Sequence, residues 1–280
     1  MKWTTFSAKL TTVRMLASKT LGWGSLWRRK RPVQEQIELG EDGSMGNKET
    51  QEVVSGAIQT DWGTVVVLAE GTGKARIGEK AALVTIKTFL DLFVGYDAST
   101  NIPYFFTQAF NQSNKKILEL LQGKKGGAAA AAIVVVQGFL HYASVGDLKI
   151  ALMRGKELIA INTGHTMQTA AAKGFAHGLL NREEALAICQ GKWGKSNFIG
   201  RDGFKNVELG EGPIQLKKSD VIILMNEGVY SSLSWVELEK ILGQNESSQK
   251  MAEVIIEQFN RKLGEDKKEA SVVVLRYKGV

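Results

Sequence analysis

The sequence predicts an α+β protein. Runs of consecutive β-strands and pairs of consecutive helices occupy different parts of the chain, whereas a Rossmann-type fold would alternate the two. The 280 residues are 44% hydrophobic with 3 prolines, so the chain has enough apolar side chains for one large core. Apolar residues form continuous β-branched runs in some segments and repeat every three or four residues in others, which separates strands from helices.

The first predicted elements of the folded domain are a buried strand and two helices. Residues 64–69 are continuous and mostly β-branched, as is typical of a strand buried on both faces. Residues 78–93 and 103–121 repeat apolar side chains at helical spacing. Before them, residues 35–51 are acidic and glycine-bearing, which predicts a linker. We therefore assign residues 52–280 to the folded domain.

The remaining sequence predicts seven further strands and three further helices. The strands are at 130–137, 139–145, 150–154, 157–161, 214–216, 221–225 and 271–277. The helices are at 182–190, 234–242 and 249–263. Ser234 and Glu237 have the spacing of a capping box, in which each side chain bonds to the backbone N–H of the other residue, and they predict a helix start.

Composition limits the compartment and the class of function. The single cysteine, Cys189, excludes a disulfide framework, so we expect a reducing, cytoplasmic environment. No stretch approaches the roughly 20 uninterrupted apolar residues of a membrane span. The formal net charge is +7, but eight of the 36 basic residues precede the first acidic residue, Glu35, which leaves 28 basic against 29 acidic residues. The domain is thus near neutral, and we expect no nucleic-acid partner.

The basic excess lies in an N-terminal arm, residues 1–34. An apolar stripe with helical spacing includes Trp3, Phe6 and Leu10, and Trp27 lies beside a basic cluster. Aromatic rings next to Lys and Arg suit the surface of an anionic membrane, so the arm predicts a helix that binds peripherally to a membrane or to a partner. A disordered basic arm and a transit segment are the alternatives.

Three glutamates lie next to predicted strands. Glu70 follows the first strand, Glu227 follows the strand at 221–225, and Glu269 opens the last strand. We expect each carboxylate to lie at a strand end and to point into a turn. Such positions collect oxygen ligands for a hard cation, so the three glutamates are candidate metal ligands.

Five short motifs occur in a recognisable order. They are Glu70-Gly71-Thr72-Gly73-Lys74, Val145-Gly146-Asp147, Gly178-Leu179-Leu180-Asn181-Arg182-Glu183-Glu184-Ala185, Asn226-Glu227-Gly228 and Glu269-Ala270. These segments resemble the DGMGG, VGD, G-x-ITPEEA, SDG and DN motifs of the metal-dependent protein phosphatases of the PPM (type 2C) family, in their shorter bacterial form. The resemblance covers about residues 53–277.

The resemblance implies a four-layer αββα sandwich of two antiparallel sheets flanked by helices. It also implies a binuclear Mn²⁺ or Mg²⁺ centre at one end of the sandwich, where a metal-bound water attacks phosphoserine or phosphothreonine. Carried over by position, the metal ligands are Glu70, Gly71 through its backbone carbonyl, Glu227, Glu269 and Asp147.

Several departures from the family pattern alter this site. Glutamate replaces aspartate at Glu70, Glu227 and Glu269, and Lys74 replaces a glycine. No arginine occurs at 56–65, where the family carries one that binds the phosphate. An added methylene moves a carboxylate by about 1.5 Å, and a misplacement of about 1 Å can lower a rate ~10²-fold.

We therefore predict a PPM-type serine/threonine phosphatase-like protein that is catalytically impaired. It would act in signalling by binding a phosphoprotein or a kinase-pathway protein. The alternative is an active Mn²⁺- or Mg²⁺-dependent phosphatase that uses the three glutamates as ligands, since every substitution keeps a carboxylate.

Overall fold

Two antiparallel sheets packed face to face form the centre of the computed structural model of the protein. It describes residues 36–46, 51–74, 76–96, 101–190, 196–262 and 268–279. The predicted N-terminal arm, residues 1–34, lies outside these ranges. Within them, the helices are too short or too polar to cross a membrane.

The described residues form eleven strands in two sheets. The strands are β1 Gln36–Ser44, β2 Val53–Gln59, β3 Thr64–Gly73, β4 Gly126–Val136, β5 Phe139–Val145, β6 Lys149–Arg154, β7 Glu157–Ala160, β8 Glu208–Leu209, β9 Ile214–Gln215, β10 Val221–Met225 and β11 Ala270–Gly279. The first sheet has the order β1-β11-β10-β6-β7 and the second has the order β2-β3-β4-β5-β8, with β9 also paired to β5. All these pairings are antiparallel.

The described residues form seven helices. They are α1 Ile77–Val94, α2 Ile102–Leu121, α3 Met167–Ala176, α4 Arg182–Gln190, α5 Glu227–Ser232, α6 Trp235–Leu242 and α7 Ser248–Lys262. All but α3 and α4 cover the outer faces of the sheets. Helices α1 and α2 share an apolar core with the second sheet, and α5, α6 and α7 share another with the first. The predicted α+β class and its four-layer αββα arrangement are therefore confirmed.

The continuous apolar run in β3 is explained by burial on both of its faces. Val65 and Val67 pack against the helices, whereas Val66 and Leu68 pack in the core between the two sheets. Side chains alternate across a strand, so a strand in the middle of four layers needs apolar residues at every position. Burying one such side chain contributes about 1.5–3 kcal/mol.

The predicted linker is wrong, because most of it forms β1. This strand pairs along its length with β11 and closes the edge of the first sheet. Ile37 and Leu39 pack against the core between the sheets. A Cβ at Gly40 would lie 2.2 Å from the backbone nitrogen of Gln249, so the glycine lets α7 approach the strand. The folded domain therefore includes Gln36 and does not begin at residue 52.

The other predicted elements are present, with shifts of a few residues at their ends. The capping box at α6 is confirmed, because Ser234 Oγ accepts from Glu237 N at 3.3 Å and Glu237 Oε2 accepts from Ser234 N at 2.9 Å. Besides β1, four elements were not predicted, namely β2, β8, α3 and α5. Three of them are seven residues or fewer, too short to give a clear periodic pattern.

Candidate metal centre

Asn226 joins the two sheets at the edge where the candidate ligands lie. It follows β10, is 1% exposed, and its Oδ1 accepts from Ser271 N at 2.9 Å. Its Nδ2 donates to the carbonyl of Glu269 at 3.0 Å and to Glu70 Oε1 at 3.3 Å. A single buried amide therefore binds β11 of the first sheet and β3 of the second.

Glu70 lies within β3 rather than in a turn. The prediction of a turn is wrong because β3 continues to Gly73 by pairing with β4. The next residue, Gly71, donates its N–H to the carbonyl of Glu52 at 2.8 Å. A Cβ at Gly71 would lie 1.9 Å from the carbonyl oxygen of Gly78, so the first turn of α1 rests directly on this glycine.

Glu269 bonds to backbone amides across the sandwich. Its Oε1 accepts from Glu52 N at 2.9 Å and from Val53 N at 2.8 Å, and the residue is 5% exposed. These amides open β2 of the second sheet, whereas Glu269 immediately precedes β11 of the first. The carboxylate therefore holds the two sheets together at this edge.

Glu227 has a more exposed environment. It is the first residue of α5, and its Oε1 lies 3.2 Å from Nζ of Lys268. A carboxylate in the first turn of a helix is also stabilised by the positive end of the helix dipole. The side chain of Glu227 is thus held by a cation of the protein itself.

Asp147 lies near this edge, and Tyr230 links it to two of the glutamates. Asp147 is 7% exposed, and the hydroxyl of Tyr230 donates to its carbonyl oxygen at 2.9 Å. Burial raises the pKa of Tyr230 strongly, and the negative charges of Asp147, Glu227 and Glu70 raise it further. Three of the five predicted ligands, Asp147, Glu227 and Glu70, are thus close enough to Tyr230 to act on it electrostatically.

In the described part of the chain, these side chains do not form a preassembled group of metal ligands. Within the described ranges, no three His, Cys, Asp or Glu side chains form a group that could hold a metal ion. Mg²⁺ and Mn²⁺ need several oxygen ligands at short distance. Here the glutamates instead accept from backbone N–H groups, from the Asn226 amide or from Lys268. The assignment of Glu70, Gly71, Glu227, Glu269 and Asp147 as metal ligands stays a prediction.

The hairpin between β2 and β3 is too tight for the family's upstream loop. Gln59 pairs with Thr64, and the connecting turn is closed by a bond of 2.9 Å from Thr60 N to Gly63 O. Neither strand nor turn contains an arginine. This hairpin therefore supplies no arginine that could bind a phosphate, as the sequence predicted.

Sequence reasoning did not assign a role to Asn226, Tyr230 or Lys268. Asn226 and Lys268 are adjacent to predicted ligands and Tyr230 is three residues from one, and this proximity was the available signal. Their bonds reach Glu70, Asp147 and Glu227 through the fold, which a single sequence does not reveal.

Known proteins that are similar to the chain in sequence or in fold are bacterial protein phosphatases. No family model matches the chain. The chain is 25% identical over 217 residues to the protein phosphatase PhpP of Streptococcus pneumoniae, which covers 74% of this chain and 84% of PhpP.

Solved structures of bacterial phosphatases share the fold. The serine/threonine phosphatase of S. agalactiae superimposes with a TM-score of 0.71 at 21% identity, over 86% of this chain and 99% of that one. The PPM Ser-Thr phosphatase MsPP of Mycobacterium smegmatis, in complex with cacodylate, superimposes with a TM-score of 0.66 at 19% identity, over 86% of this chain and 98% of MsPP. The catalytic domain of PstP, in complex with two manganese ions, superimposes with a TM-score of 0.67 at 18% identity, over 86% of this chain and 97% of that one. The chain thus resembles a bacterial protein phosphatase in sequence and bacterial PPM serine/threonine phosphatases in fold.

Proposed function

We propose that the protein is a catalytically impaired member of this class that acts in signalling by binding a phosphoprotein or a kinase-pathway protein. The observation that carries the proposal is the orientation of Glu269, whose carboxylate accepts from two backbone N–H groups at 2.9 and 2.8 Å. Both hydrogen bonds go to Oε1, so moving this oxygen onto a metal would leave both donors without a partner. A buried unsatisfied N–H costs about 1–3 kcal/mol.

Electrostatics supports the same proposal. Glu70, Glu227 and Asp147 act together on Tyr230, so this edge has a negative field. A phosphate monoester carries about −1.5 to −2 charges at neutral pH and is repelled by such a field unless bound cations reverse it. The β2–β3 hairpin supplies no arginine to compensate.

Hydrolysis of para-nitrophenyl phosphate and of phosphothreonine peptides by the full chain tests the proposal. We expect no turnover above background with Mn²⁺, Mg²⁺ or EDTA, and no heat of Mn²⁺ binding in calorimetry. PhpP in the same buffers is the positive control. Turnover by the full chain that EDTA abolishes would overturn the proposal.

An active Mn²⁺- or Mg²⁺-dependent phosphatase is the second candidate. It is favoured by the retention of a carboxylate at all three altered positions and by the two manganese ions of the related PstP structure. This candidate predicts metal-dependent turnover that the substitution Glu227→Ala lowers by ~10²-fold or more.

We also propose that the protein is cytoplasmic and that residues 1–34 bind the surface of an anionic membrane. Support comes from the eight basic residues of the arm and its tryptophans. Sedimentation of the full chain with vesicles of anionic lipid, but not with neutral vesicles, is the expected result. Equal sedimentation with both would contradict it.

A further inference from the structure

A cavity of about 750 Å³ lies where the start of α1 faces the turn between α2 and β4. Its lining includes Lys74, Lys124 and Lys125, together with the apolar side chains of Ile77 and Phe198. No carboxylate is among the described residues that line it. The cavity is thus a cationic pocket with an apolar wall.

The three lysines are held close together by the strands beside them. Gly73 pairs with Gly126 at the end of the β3–β4 ladder, so Lys74 and Lys125 leave the sheet as neighbours. Like charges at neighbouring cross-strand positions are unfavourable. Among described residues, no ion pair or side-chain hydrogen bond neutralises Lys74, Lys124 or Lys125. A bound anion would relieve this repulsion.

The start of α1 adds a weaker positive contribution on the same side. The helix is 18 residues long, and its N-cap, Arg76, makes no side-chain hydrogen bond to the first turn. The helix dipole favours an anion there, whereas the N–H of Ile77 already donates to the carbonyl of Lys74 at 3.1 Å. Ile77, the first helical residue, belongs to the lining of the cavity.

We propose that this cavity binds the phosphate of a phosphoserine or phosphothreonine peptide. Three ammonium groups match the charge and the three terminal oxygens of a phosphate monoester better than the single charge of a carboxylate. A side chain next to the phosphorylated residue packs against Ile77 and Phe198. The concave shape has room for the phosphorylated side chain together with its neighbours in the peptide, whereas a membrane needs an extended surface. The inference rests on the proposed function and names the part of the surface that recognises the partner's phosphate.

Binding of degenerate peptide libraries with a fixed central phosphothreonine, threonine or glutamate to the full chain tests this inference. We expect the phosphothreonine library to be retained about 10-fold more than either other library. The double substitution Lys124→Glu/Lys125→Glu should remove this preference. Lys217→Glu/Lys218→Glu is the matched control, since these adjacent exposed lysines lie in the turn before β10 and undergo the same charge change. The control should keep the preference.

Each other outcome overturns the inference. Equal retention of the three libraries would show that phosphate is not recognised, and equal loss in both double variants would show a nonspecific charge effect. Thermal unfolding of each variant verifies that it is folded, and Lys74→Gln provides a milder third variant that should weaken retention. Metal-dependent hydrolysis of para-nitrophenyl phosphate would overturn the proposed function separately, because that assay does not depend on this cavity.

Discussion

At the scale of single residues, the role of a carboxylate in this structure depends more on the hydrogen-bond donors around it than on its position in a motif. Glu269 and Glu227 occupy positions that resemble aspartate ligands, yet one accepts from backbone amides and the other from Lys268. Position along the chain could be predicted from the motifs. The partners of Glu269 could not, because Val53 is 216 residues away in sequence. A carboxylate that is longer by one methylene reaches donors on the opposite sheet.

The substitution Glu269→Ala should lower the free energy of unfolding by about 2–4 kcal/mol, because it leaves two backbone N–H groups without an acceptor. Glu227→Ala is the control and should cost less than about 1 kcal/mol, since its ion pair with Lys268 is solvent-exposed. Urea unfolding followed by circular dichroism measures both. Similar losses in the two variants would contradict the structural role given to Glu269.

At the scale of elements, helices and strands with a strong local sequence signal were predicted correctly, whereas a strand with a weak signal was mistaken for a linker. The capping box of α6 and the apolar run of β3 are recognisable from a few residues. In contrast, β1 contains Gly40, Glu41, Asp42 and Gly43, which are all poor strand formers. The extended conformation of β1 results from its pairing with β11. Local strand propensity does not include this pairing, so the sequence predicted a linker.

Two glutamates of β1 should give opposite pH dependences of stability. Burial, the largest cause, raises the pKa of Glu41 above 4.5, despite a hydrogen bond from Ser55. The folded state favours the protonated form of Glu41. The contribution of this group to folding stability is therefore complete below pH 4.5 and is lost as pH rises through the raised pKa. Glu41→Gln should therefore raise Tm at pH 7 by about 1–3 °C. The difference should vanish near pH 4.

Glu38 on the same strand is the control for this prediction. A hydrogen bond from Lys278 lowers the pKa of Glu38, so its contribution is present above pH 4.5 and is lost as pH falls through the lowered pKa. Glu38→Gln should lower Tm at pH 7, and the difference in Tm between the variant and the wild type should disappear at acidic pH. Differential scanning calorimetry from pH 3 to about 8 measures both variants. Shifts of the same sign would show that the two environments were misassigned.

At the scale of the whole molecule, the sandwich is held at its glutamate-bearing edge by the protein's own groups. Asn226 and Glu269 each bond from the first sheet to the second at this edge. In a metal-dependent phosphatase of this fold, cations would tie the same strands together. The overall architecture followed from the order of motifs, but these hydrogen bonds join residues far apart in the sequence, which no motif specifies.

Thermal stability should therefore be insensitive to metal. We expect Tm of the full chain to change by less than about 1 °C between EDTA and Mn²⁺. A site saturated at 100 times its dissociation constant would add about 2.7 kcal/mol, which is about 5–10 °C for a domain of this size. An increase of that magnitude in wild type, absent in Glu227→Ala, would indicate a working metal site.

The pairing of β1 also has a consequence for how the protein is made. Ser248 N donates to Glu38, a residue synthesised 210 positions earlier, and the strand's other neighbour, β11, ends the described chain. At about 5–20 residues per second, β1 waits roughly 10–40 s on the ribosome before these partners exist. Ile37 and Leu39 are exposed during that time on an unpaired strand. The first sheet is therefore completed only after β11 has been synthesised, and until then β1 is an unpaired strand.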